Sequence, residues 1–210
     1  QLNKLTKAIL VNKCFVDKKY QWLVVSAACD EEGEYEAVTE FINPERYNAE
    51  EKALKKFWDK LYTNLNCEIP DKNIEYFMNY WLKNQIRLTY RYDRSDRYAG
   101  FRDSLQDSWG CVLVEPEISK EKMIRTLSYM LPDGRCPRQY HKHSDQHDMH
   151  DFADAIIWAA DAVSGYIKET GDFSILDVEI PFLNGDEITS VEEHIFRGLN
   201  SLYTLRGKNG

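Results

Sequence analysis

Gly100-Phe101-Arg102-Asp103-Ser104-Leu105-Gln106-Asp107 is the stretch on which the reading of this chain turns. A helix over about 103 to 114 would open inside it, and Asp103, Gln106 and Asp107, at i, i+3 and i+4, would then share one face. A carboxylate at a helix start can be a plain N-cap, stabilising by about 1 kcal/mol. It can also grip ligand hydroxyls, because an ionised carboxylate only accepts hydrogen bonds. Just upstream, Arg87, Arg91, Arg94, Arg97 and Arg102 concentrate five planar cations in an acidic protein. Such groups suit phosphate, or bidentate recognition of hydroxyls and carboxylates. Pairing with Asp93, Asp96 and Asp103 on a solvated face is the plainer reading of those arginines.

Working outward, most of the chain carries a helical period. Asn48 with Glu51 reads as a helix start before Ala53, Leu54, Phe57, Trp58, Leu61, Tyr62 and Leu65. Pro70-Asp71 breaks the chain and restarts it, with Ile74, Phe77, Met78, Trp81, Leu82, Gln85 and Ile86 as the next stripe. Trp58 and Trp81, at helical spacing, read as core. Further helices are expected over 119 to 131, opened by Ser119 and stopped by Pro132-Asp133-Gly134, and over 151 to 169, stopped by Gly171. Ser190 with Glu193 forms a capping box ahead of Val191, Ile195, Leu199 and Leu202. Before all of this lie two β-rich runs, 8 to 11 and 22 to 25, too few strands for a stable sheet. Long loops at 92 to 102, 132 to 150 and 171 to 189 are expected to carry function.

Composition narrows the classes. The 210 residues carry 27 Lys and Arg against 35 Asp and Glu, a formal charge of -8, which fits poorly with a nucleic-acid backbone. No apolar run reaches the roughly 18 residues of a membrane span. The cysteines Cys14, Cys29, Cys67, Cys111 and Cys136 form no CxxC pair. They read as reduced thiols of a cytoplasmic protein, not as a zinc ribbon or a disulfide framework. His141, His143, His147 and His150 crowd one segment, but their spacing matches no standard zinc motif, so a polar loop is the stronger reading and no metal is assigned. Neither a nucleophile elbow nor a phosphate-binding or dinucleotide glycine motif is present. The first residue, Gln1, suggests a processed or excised piece.

The segment from Gly100 to Asp107 resembles the GFRD-x-x-QD motif of the inverting disaccharide phosphorylases, glycoside hydrolase family 94, which includes cellobiose and chitobiose phosphorylases. The likeness extends to Asn79-Tyr80-Trp81-Leu82-Lys83-Asn84-Gln85, similar to the family's N-x-W-x-x-x-Q helix. It continues through Asp133-Gly134, Gln139-Tyr140, Asp154 to Trp158 and Tyr166 to Asp172. The match is good from about 50 to 210 and weaker before that.

The resemblance implies a mainly α fold. Residues 1–47 would be the last strands of an N-terminal β-sandwich, 48–70 a helical linker, and 71–210 the first part of an (α/α)6 barrel. It implies reversible phosphorolysis of a β-glucosidic bond with inversion, giving an α-sugar 1-phosphate, with inorganic phosphate as co-substrate and no other cofactor. Arg91, Arg102 and Asp103 would hold the donor sugar, and Gln106 and Asp107, on the same helix face as Asp103, would also be substrate-binding. Gln139 and Tyr140 would line the groove, and Arg97 would contact phosphate. The segment before Gly100 is about two residues shorter than in common members, which loosens the placement of Arg91 and Arg97. The family's catalytic acid, in a W-N-D motif, would follow Gly210, so the chain is expected to be inactive alone and to need the remainder of its polypeptide. A homodimer is implied by the family only. An inverting hydrolase or glucan-processing enzyme on the same scaffold is the alternative, followed by a non-catalytic carbohydrate-binding module and, weakest, a metal-binding module.

Overall fold

The computed structural model describes residues 9–16, 21–28, 44–92, 97–142, 144–150 and 152–208. The chain separates into two compact units, 1–60 and 61–210. In the first, β1 (Ile9–Val16) and β2 (Gln21–Ala28) pair antiparallel, from Ile9 opposite Ala28 to Val16 opposite Gln21. Helix α1 (Pro44–Thr63) begins four residues before Asn48. The expected cap is therefore an interior residue. Proline needs no hydrogen-bond acceptor at a helix start and presets its φ, so Pro44 with Glu45 in the first turn opens the helix instead.

In the second unit the restart falls where Asp71 predicts it. Its carboxylate accepts from Asn73 N at 2.8 Å and Ile74 N at 3.3 Å, opening α2 (Lys72–Tyr76). A π-helical turn (Phe77–Trp81) then leads into α3 (Leu82–Tyr92). Within that turn Asn79 clips the preceding loop. Its Oδ1 accepts from Cys67 N at 3.0 Å and its Nδ2 donates to Cys67 O at 2.9 Å. Trp81 is not core: it is half exposed and stacks on Phe77, ring centroids 4.8 Å apart.

Strand β3 (Tyr98–Gly100) feeds directly into α4 (Phe101–Cys111), followed by α5 (Pro116–Leu127) and β4 (Gln139–His141). Ser119 does not open α5. Pro116 does, after Glu115, and Ser119 is fully buried with its hydroxyl donating to Ser108 O. Ser108 in turn donates to Ser104 O at 2.6 Å. Small hydroxyl side chains thus let α4 and α5 approach closely while leaving no buried donor unpaired. Helix α6 (Ala155–Thr170) closes at Gly171, as its sequence predicts. A 3₁₀ turn (Phe173–Ile175) and the antiparallel pair β5 (Glu179–Pro181) and β6 (Ile188–Ser190) precede α7 (Val191–Leu205). Ser190 caps α7, accepting from Glu193 N at 3.2 Å. The three long loops therefore hold three-residue strands, too short for a period-two pattern to register in sequence.

Phe101, Leu105, Met123, Leu127, Ala159, Val163, Tyr166, Ile175 and Val191 form one buried cluster drawn from α4 to α7. The turn after α5 is held against α7 at Gly134, whose φ is 85° and whose absent Cβ would lie 2.6 Å from the Arg197 carbonyl carbon. Left-handed backbone and lack of space both require glycine there.

Asp172 locks the end of α6 to α5. Its carboxylate accepts from Lys120 Nζ at 2.7 Å, Ser174 Oγ at 2.6 Å and the Tyr166 hydroxyl at 2.8 Å. Lys120 foremost, then Ser174 and Tyr166, hold its carboxyl well below the usual carboxylate range. A depressed folded-state pKa contributes stability that is full above the unfolded value near about 4 and is lost as pH falls toward the folded value. Asp172→Asn should therefore lower the melting temperature at pH 7 and make its decline below about pH 4 shallower than in the parent, as read by thermal unfolding across pH.

Candidate functional site

The site is built on a backbone clasp. Tyr98 pairs with His141, Ala99 with Tyr140 and Gly100 with Gln139. The ladder extends at both ends, through Lys142 N donating to Arg97 O at 3.1 Å and Phe101 N donating to Arg138 O at 3.1 Å. A third stretch joins it, as Arg138 N donates to Asp148 O at 2.8 Å and Asp148 N to Gln139 O at 2.9 Å. These bonds bring the start of α4, the 137–139 segment and the start of α6 around a cavity of about 170 Å³, bounded by Arg102, Asp103, Arg138, Gln139, Phe152 and Asp154.

Gly100, not Asp103, is the N-cap of α4, and Asp103 sits in the first turn, where the helix dipole favours a carboxylate. Gly100 has φ -65° and ψ 132°, which any residue adopts. Space makes it glycine. A Cβ there would fall 2.9 Å from Asp103 Cγ and still closer to its Oδ2, because the carboxylate folds back over the turn.

Arg102 Nη1 donates to Asp154 Oδ2 at 2.8 Å across 52 residues of sequence. The bond raises the arginine pKa and holds the Asp154 carboxyl below its ordinary value, so both stay charged. It also explains why Asp154, standing at the head of α6, makes no side-chain cap. The pair is 46% and 43% exposed, so it adds little stability; what it does is fix a donor fork beside an acceptor. Arg138 makes a second such pair, Nη1 to Asp148 Oδ2 at 2.9 Å, with its guanidinium 5.6 Å from the Phe152 ring centroid. His150 foremost, with Arg138 contributing, lowers the Asp148 carboxyl. Donors and acceptors of nearly balanced charge beside an aromatic face suit a neutral ligand rich in hydroxyls.

Of the residues singled out in sequence, Arg102, Asp103 and Gln139 meet at this cavity. Tyr140 lies behind it, 3% exposed, its hydroxyl 2.8 Å from Ser104 Oγ and its ring stacked on Tyr129 at 4.0 Å. Asp107, with a side chain 10% exposed, faces the buried Lys122 at 3.8 Å and not the cavity. Gln106 is half-buried on α4 and also off the cavity wall. Arg97 is exposed at the outer end of the clasp. Arg91 lies in the last turn of α3, its side chain outside the described residues, as is all of Arg94. Arg138, Phe152 and Asp154 are the wall residues that sequence reasoning missed. Asp154 carried only its place as the first residue of the matched stretch Asp154 to Trp158, and Arg138 that of standing next to Gln139.

The histidines serve the loop. His147 Nδ1 accepts from His141 N at 3.1 Å, and burial lowers the His147 pKa. His143 is outside the described residues. Among the described residues no three His, Cys, Asp or Glu side chains converge as metal ligands would.

Residues 57–210 match the glycosyl hydrolase 94 superfamily, catalytic domain. A solabiose phosphorylase of Paenibacillus borealis is 33% identical over 132 residues, covering 63% of this chain and 16% of that protein. A cellobionic acid phosphorylase of Neurospora crassa is 28% identical over 153 residues, 70% of this chain and 19% of that protein. The cyclic beta-(1,2)-glucan synthase NdvB of Rhizobium meliloti is 26% identical over 204 residues, 86% of this chain and 7% of that protein. The chain thus spans less than a fifth of the length of these relatives.

Gly100→Ala should keep the helical content while displacing the Asp103 carboxylate. Crowding of this kind costs about 1–3 kcal/mol, to be read as a lower urea midpoint.

Proposed function

The chain belongs to the glycosyl hydrolase 94 superfamily, and from that premise we propose that it is the sugar-holding part of a carbohydrate phosphorylase acting on a β-linked glucoside. The observation that carries this reading is the clasp, which sets Arg102 and Asp103 against Gln139 around one cavity inside the matched span. The mainly helical second unit is read as the first part of an (α/α)6 barrel. The homodimer is a proposal taken from the family resemblance, and the cytoplasmic location one taken from the unpaired spacing of the cysteines in sequence. No described helix is long and apolar enough to cross a membrane.

In the proposed reaction an oxygen of inorganic phosphate attacks the anomeric carbon from the face opposite the leaving group. The glycosidic C–O bond breaks, a carboxylic acid protonates the departing oxygen, and the configuration inverts to an α-sugar 1-phosphate. Phosphate takes the place of the water and general base of an inverting hydrolase. Arg91, Arg102 and Asp103 would bind hydroxyls of the donor sugar with Gln139 beside them, while Arg97 supplies positive charge for the phosphate. Asp154 is unsuited to be the acid, because Arg102 keeps it ionised. We assign the proton donor to another part of the polypeptide, so these 210 residues would bind without turning over.

A second reading, a glucan-processing enzyme, is favoured by the NdvB match, which covers 86% of this chain. The product assay separates the two. The full-length polypeptide, given β-linked glucobioses with and without phosphate, should form α-sugar 1-phosphate only when phosphate is present. Free sugar or transfer products formed equally without phosphate would contradict the phosphorylase reading. Arg102→Ala should lower kcat/KM by roughly ten- to a hundredfold, the loss of one charge-assisted hydrogen bond of about 1.5–3 kcal/mol.

A further inference from the structure

Lys122 of α5 is a lysine with only 1% of its surface exposed. Its ammonium donates to Tyr90 O at 3.0 Å, stands 4.9 Å from the centroid of the Tyr90 ring, and lies 3.8 Å from Asp107 Oδ2. Removing an ammonium from water is costly unless partners replace the lost hydration, and an apolar side chain of similar length would fill the same space at lower cost. The geometry shows what the charge does here. Tyr90 belongs to the last turn of α3, whose final four carbonyls have no intrahelical donor. A cation at that end satisfies one of them and complements the helix dipole. Asp107 stands one turn beyond Asp103 on α4. One ammonium therefore bridges the end of α3, one residue before Arg91, and the helix that carries Arg102 and Asp103. Burial raises the Tyr90 phenol to about 12.

We propose that Lys122 is a positioning residue, fixing the arginine-bearing end of α3 relative to the Arg102–Asp103 turn, with Asp107 as its counter-charge. The kinetic consequence rests on the phosphorylase reading; the tether itself does not. This assignment also accounts for the second carboxylate of the Gly100 to Asp107 segment, which faces inward and away from the ligand.

The test compares Lys122→Met and Lys122→Arg with the parent in the full-length polypeptide, by two readouts. Hydrogen exchange of the last-turn amides of α3 reads the tether without any turnover. Lys122→Met should fold cooperatively, exchange those amides at least tenfold faster and lower kcat/KM for phosphorolysis about tenfold, and Lys122→Arg should restore both. Unchanged exchange at the end of α3, unchanged kinetics despite faster exchange, or failure of arginine to restore the parent behaviour would each overturn the proposal. Should Lys122→Met fail to fold, Lys122→Gln keeps a donor for the Tyr90 carbonyl and loses the charge facing Asp107. Exchange between that of the parent and that of an untethered helix end then supports the tether, and parent-like exchange overturns it. A parent protein that performs no phosphorolysis defeats the function proposed above and leaves the exchange comparison standing.

Discussion

The antiparallel clasp between Tyr98–Gly100 and Gln139–His141 is the constraint on which the site depends. Three paired residues do not hold together alone. Here the clasp is fastened from beneath, where Ala99 and Tyr140 are buried, Tyr140 is stacked on Tyr129 and its hydroxyl meets Ser104 of α4. The helical packing of α4 on α5 and α6 thus fixes a strand pair, and the strand pair fixes which polar side chains face one another. Without it, Arg102 and Gln139 would be separated by a helix pair and a long loop with no reason to meet.

Electrostatics then follows from placement. Both arginines at the cavity wall are matched to carboxylates, Arg102 to Asp154 and Arg138 to Asp148. Such half-exposed pairs contribute little to stability. They keep donors and acceptors charged and oriented before a ligand arrives, which lowers the cost of ordering them on binding. Farther in, Lys122 and Asp107 apply the same pairing where solvent is excluded. The cavity's balanced donors and acceptors and its one aromatic face are the features on which the proposed hydroxyl-rich ligand rests.

Much of the helical framework was legible in the sequence because capping is local chemistry. Asp71 and Ser190 bond to amides two or three residues away, and the helices they open begin where their side chains predict. Asn48 and Ser119 mislead for the same reason that they attract notice. Both are good caps, yet Pro44 and Pro116 start those helices earlier, and Ser119 spends its hydroxyl on a neighbouring helix. Arg102, Asp103 and Gln139 could be picked out from their motif. Arg138 could not, and Asp154 stood only as the first residue of a matched stretch with no role attached, since their pairings, across 10 and 52 residues, are made by the clasp. Tyr140 is buried and Asp107 faces Lys122, because a motif names residues without saying which side of an element each one takes.

The most direct measurement is a structure of the full-length polypeptide with a bound β-glucoside. The account predicts a sugar ring in the cavity beside Phe152, its hydroxyls within hydrogen-bond distance of Arg102 and Asp103. A glucoside bound elsewhere, with that cavity holding only solvent, would contradict it.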